Sequence, residues 1–103
     1  MSAYTLPEEI LVSRMKAGET QAYKVFFWEY CEFVNTLTHT LLPKGEDAQT
    51  VTYAIMGEVW TRRNRSEFKA PLRSFLYREV YRKCQPFLEQ KKPRSLVDRL
   101  FWR

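Results

Sequence analysis

Four cations, Arg62, Arg63, Arg65 and Lys69, fall within eight residues of the chain. They stand in and beside a polar connection, Asn64 to Ala70, that a helix end near Arg63 and a helix start at Pro71 should hold in place. Their charges would then converge on one strip of surface. The chemistry this suits is neutralisation of the phosphates of a single nucleic-acid strand, each contact releasing a counterion. Phe68 lies inside the same connection. Further on, Arg78 and Arg82 are four apart and share the outer face of a helix, with Tyr77 and Tyr81 between that face and the core.

Material for catalysis is sparse. His39 is flanked by Thr38 and Thr40 at helical spacing, and Cys31 and Cys84 form no CxxC, so one His and two thiols complete no recognisable metal set. Both cysteines read as buried thiols without a disulfide. No Gly-rich phosphate loop, HExxH or GxSxG is present. Carboxylates sit four residues before cations, Glu58 with Arg62 and Glu79 with Lys83, which reads as solvation of helix faces. The expectation is a binding protein, not an enzyme, with no catalytic residue, metal or cofactor.

The 103 residues are 45% hydrophobic and 28% charged, which suits one compact domain with one core, and 16% aromatic residues supply the bulk. The net charge of +5 is polarised: residues 1–42 carry three basic and five acidic side chains, residues 43–103 fourteen and seven. A basic half of this kind is an electrostatic footprint for nucleic acid, or else a solvated basic surface. No apolar run is long enough to span a membrane, and MSAYTLPEEI has acidic residues where a secretory signal has basic ones. A cytoplasmic protein without membrane contact is expected.

Apolar spacing is helical nearly everywhere, so an all-α compact bundle of four main helices plus a short C-terminal helix is expected. Thr5 with Glu8 forms a capping box for the first helix, and Gly18 ends it. The second runs from Thr20 to Leu42 with Ala22, Phe26, Tyr30, Phe33, Leu37 and Leu41 inward. The third opens at Glu46 and Asp47 and ends near Arg63, with Val51, Ile55 and Val59 toward the core. Tyr53, Met56 and Trp60 make a second apolar stripe on its other side, as expected of a helix that is central or binds a partner. The fourth covers Leu72 to Cys84, closed by Pro86. Residues 1–84 form the helical domain, and 85–103 a basic tail in which Ser95 and Asp98 cap a short amphipathic helix.

From Leu11 to Cys84 the order of these features resembles region 2 of the extracytoplasmic-function sigma factors of the sigma-70 family. LVSRMKAGETQAYKVFFWEYCEFV resembles that family's opening. Glu46-Asp47-Ala48, with Trp60 twelve residues after Ala48, resembles its EDA…W helix, and Phe75-Leu76-Tyr77-Arg78 resembles its WLYR segment with Phe for Trp. Thr50 and Tyr53 stand where the family usually has Asp and Gln. Only 19 residues follow Cys84, too few for the family's second, helix-turn-helix domain.

The resemblance implies a sigma region 2-like fold and a part in transcription initiation or its regulation. The second and third helices would dock on the clamp helices of core RNA polymerase through Asp47, Thr50, Tyr53, Met56 and Trp60. The non-template single strand of the promoter −10 element would meet Arg62, Arg63, Arg65, Lys69, Arg78 and Arg82 through its phosphates, while Phe68, Tyr77 and Tyr81 stack on or enclose an unpaired base. An anti-sigma factor or a separate sigma subunit is a further partner class. The alternative is a small helical adaptor or regulator that binds protein and never touches DNA. The basic aromatic connection is the feature that separates the two.

Overall fold

The computed structural model describes the backbone of residues 6–101 and the side chains of residues 6–88. Four helices account for most of it: α1 (Glu8–Lys16), α2 (Thr20–Leu41), α3 (Gly45–Thr61) and α4 (Leu72–Phe101), with no strand among the described residues. The fold is an all-α bundle. None of the described helices is long and apolar enough to cross a membrane.

Gly18 turns the first corner. Its φ of 90° lies in the left-handed region where a side chain is strained. That geometry lets Gly18 N–H reach Met15 O (2.9 Å) and Glu19 N–H reach Arg14 O (3.1 Å), the paired bonds that satisfy the last carbonyls of α1. The capping box assigned to Thr5 lies outside the described residues, and α1 has no side-chain cap. Glu8 is used elsewhere. Its Oε2 accepts Tyr30 O–H at 2.9 Å and its Oε1 accepts the Leu72 backbone N–H at 2.8 Å, so one carboxylate ties α1 to α2 and caps the start of α4. The Tyr30 hydroxyl is held neutral well above its ordinary range by burial and then by this carboxylate. Glu8→Ala should therefore cost about 1–3 kcal/mol in urea unfolding, because it orphans a buried N–H as well as removing two bonds. Glu8→Gln, which keeps one carbonyl acceptor, should cost less.

The inward line of α2 is Ala22, Phe26, Tyr30, Val34 and Thr38, a uniform step of four. Expectation and structure agree as far as Tyr30 and then part, for Phe33, Leu37 and Leu41 are half-buried at the edge of the core. Steps of four rotate by about 40° each and carry the contact line around α2 as it crosses α3. Thr38 can enter the core because its hydroxyl lies 2.7 Å from that of Thr52, and the carbonyls of Asn35 and Ala48 are each 2.9 Å from one of the pair. Phe33 is covered instead by the Arg73 guanidinium, 4.8 Å from its ring centre.

Val51, Ile55 and Val59 of α3 and Leu72, Leu76, Val80 and Cys84 of α4 are buried as their spacing requires. Pro86 does not close α4, which continues to Phe101 in place of a break and a separate short helix. A proline forfeits one backbone hydrogen bond and strains the preceding turn. Here Gln85, Glu89 and Gln90 are good helix formers, and Phe87 and Leu88 pack against the core. The side chains of the amphipathic stretch from Ser95 lie outside those described.

Candidate nucleic-acid face and partner groove

The connection between α3 and α4 is held by side chains that turn into the protein. Phe68 is fully buried, edge-on to Phe26 with ring centres 6.1 Å apart and 5.3 Å from Phe75. It is a plug of the core and cannot stack on a base, which corrects its expected role. A ring of that size alone in a polar stretch has no other cover than the interior.

Two of the four cations are committed as well. Arg65 has a side chain only 12% exposed, lies over Phe75 at 5.0 Å and stands 3.4 Å from Glu79 Oε1. Its own carbonyl accepts Lys16 Nζ at 3.3 Å, tethering the connection to α1. Arg63 is half-buried over the Trp60 ring at 4.1 Å and donates to Trp60 O at 2.9 Å. Arg62 and Lys69 are exposed.

On α4, Tyr77 and Tyr81 are 57% and 52% exposed, and Arg78 and Arg82 project beside them. Arg82 also donates to Glu79 at 2.7 Å. What remains of the expected DNA set is thus one face, Tyr77, Arg78, Tyr81 and Arg82 from α4 with Arg62 beside it, and Lys69 exposed on the connection. Arg62, Arg65, Arg78 and Arg82 line a cleft of about 400 Å³ together with Glu67 and Glu79.

The carboxylates pair differently from the sequence expectation. Glu58 is bound by Lys83 across the α3–α4 interface, a contact that holds the Glu58 carboxyl below its ordinary range. Glu79, 7% exposed, serves Arg65 and Arg82. Helix packing brings Lys83 to Glu58, while Glu79 takes Arg82 three residues on and Arg65 from the connection in place of Lys83 four residues on.

The second stripe of α3 divides. Met56 is 1% exposed and belongs to the core, which removes it from the expected polymerase set, because α3 is covered on this side by α2. Trp60 is half-buried, 5.2 Å from the Tyr23 ring. Asp47 is half-buried, Thr50 is exposed, and Tyr53 is 57% exposed. Tyr53 faces a groove of about 530 Å³ between α2 and α3, lined also by Phe27, Trp28, Cys31, Asn35 and Gln49.

Trp28 is the residue that sequence reasoning passed over. At 85% exposure it is the most exposed large hydrophobic among the described residues. It does carry a signal. Trp28, Cys31, Glu32 and Asn35 follow the i, i+3, i+4, i+7 spacing on the side of α2 away from Phe26, so an indole stands on an otherwise polar stripe. Cys31 is half-buried and Cys84 buried, both unbonded, and burial raises both thiols above their ordinary range, which makes them poor nucleophiles. Among the described residues no three of His, Cys, Asp and Glu gather as a metal set. Comparison with protein-family models, with curated proteins and with solved structures finds no match.

Proposed function

We propose that the chain is a transcription factor of the sigma region 2 type, which binds core RNA polymerase through the α2–α3 groove and single-stranded promoter DNA through α4. The observation that carries this reading is the exposed pattern Tyr77, Arg78, Tyr81, Arg82 on one helix. Two aromatic faces alternating with two guanidiniums suit a strand whose bases stack while its phosphates are neutralised. The resemblance of Leu11 to Cys84 to that family adds the polymerase, whose clamp helices would find Trp28 and Tyr53 as exposed anchors. The polarised charge supports the same orientation, acidic in the first half and basic in the second.

Arg62, Lys69, Arg78 and Arg82 supply up to four phosphate contacts. Affinity for single-stranded DNA, measured with core enzyme present, should fall with salt at a log–log slope near −3, about −0.7 per contact. Lys69→Ala with Arg78→Ala should flatten that slope by roughly 1.4. Tyr77→Ala should weaken binding at every salt concentration and leave the slope alone. Equal affinity of the parent and a variant lacking all four cations would remove DNA from the reading.

The adaptor reading is favoured by one observation. Phe68 and Arg65, two residues that set a DNA binder apart from a pure adaptor, are packed into the protein. An adaptor would capture a protein partner through the groove and show no salt-dependent DNA binding.

A further inference from the structure

The cleft between the α3–α4 connection and α4 sets four guanidiniums, Arg62, Arg65, Arg78 and Arg82, against two carboxylates, Glu67 and Glu79, leaving an excess of two positive charges. Surface arginines usually spread apart to reduce their repulsion. These are kept together, and Arg65 most firmly, by its stacking on Phe75 and by the Phe68 plug three residues on. Its neutralisation is incomplete. Glu79 Oε1 lies 3.4 Å away, an ion pair too long for a good hydrogen bond, and Nε and one Nη of Arg65 have no hydrogen-bond partner although they are shielded from solvent. The same Glu79 oxygen is held at 2.7 Å by Arg82, whose side chain is 56% exposed. One carboxylate therefore serves two guanidiniums and satisfies only one.

We propose that this cleft is a phosphate-binding site, which takes one terminal phosphate or a diphosphate group. The planar fork of each guanidinium fits a phosphate by paired N–H···O bonds, and an arriving dianion matches the excess charge that Glu79 leaves. Glu79 acts as the resident anion, giving up Arg82 to the ligand and retaining Arg65. A nucleic-acid strand with a 5′-terminal phosphate and a free nucleotide both present this group. The inference rests on reading the α4 face as phosphate-binding and names where one phosphate is held.

The test is titration of the full chain with inorganic pyrophosphate at constant ionic strength, followed by calorimetry and by the arginine Nε–H signals in NMR. Saturable binding at one site that shifts the Arg65 signal is expected. Arg78→Ala with Arg82→Ala, both on the exposed face, should weaken it at least about tenfold. Glu79→Gln, which removes the competing charge, should strengthen it severalfold. Lys44→Ala should leave it unchanged, since Lys44 stands at the other end of α3, about 25 Å away by helix rise. Non-saturating binding, or an equal loss in the Lys44 variant, would overturn the proposal.

Competition then separates the sources. Displacement of pyrophosphate by a 5′-phosphorylated oligothymidylate strand places the strand's terminal phosphate in the cleft. Pyrophosphate binding that the strand leaves intact assigns the cleft to a free phosphate compound, and both outcomes support the site. Strand binding that depends on Tyr77, with no pyrophosphate binding, overturns the cleft and leaves the α4 face standing. Pyrophosphate binding without strand binding does the reverse.

Discussion

Phe68→Ala is expected to lower the stability of the chain by about 3–5 kcal/mol, the range for emptying a fully buried phenyl site. The ring has no exposed surface and sits between Phe26 of α2 and Phe75 of α4, so its removal opens a cavity where three segments meet. Collapse of the site is resisted because Phe26 and Phe75 are themselves fixed in helices. The loss extends outward. Phe68 anchors the connection that carries Arg62, Arg65 and Lys69, and the Arg65 guanidinium stacks on the neighbouring Phe75. Any weakening of nucleic-acid binding in this variant should therefore follow the unfolded fraction in a urea titration. Tyr77→Ala makes the contrast, since its side chain is exposed and its stability should stay within about 0.5 kcal/mol of the parent. A Phe68→Ala variant as stable as the parent, yet weak in binding, would return the ring to the surface role its place in the sequence suggests.

Phe68 shows where legibility stops. Residues 64–70 read as a polar, basic connection, and composition alone gives a lone aromatic there no inside or outside. Only the gap that α2 and α4 leave between them decides. Helix boundaries were far more legible, because local signals determine them. Gly18 ends α1, Pro43 stands between α2 and α3, whose first residue is Gly45, and Pro71 precedes α4, its carbonyl accepting the Phe75 N–H at 3.2 Å.

Pro86 was misleading for the opposite reason. A local rule that usually ends a helix is overridden by the packing of Phe87 and Leu88. The face of α2 was legible for its first half. Its second half depends on Thr38, whose burial requires the hydroxyl of Thr52 fourteen residues later, a pairing that periodicity in one helix does not contain. The α4 face was legible because Tyr77, Arg78, Tyr81 and Arg82 repeat at one helical period. Arg65 was not, for its partners Glu79 and Phe75 belong to another element.

Trp28→Ala combined with Tyr53→Ala should weaken binding to core RNA polymerase at least about thirtyfold, the loss expected when two aromatic anchors of an interface are truncated. The two side chains flank one groove from opposite helices, and both present large apolar surface to solvent in the unbound protein. Exposed indole and phenol rings of this size cost solvation while unbound and repay it when a partner helix covers them. Because neither supports the core, helical content and the urea midpoint should stay near those of the parent. Met56→Ala is the informative companion. Met56 lies on the same side of α3 but is 1% exposed, so it should lower stability by about 2–5 kcal/mol and affect polymerase binding only through unfolding. If the double variant captures polymerase as well as the parent does, the groove is not the polymerase surface and the sigma-like reading loses its protein half. If it instead loses a different protein partner while its salt-dependent DNA binding is absent, the adaptor reading replaces the first, with the same two aromatic residues as its anchors.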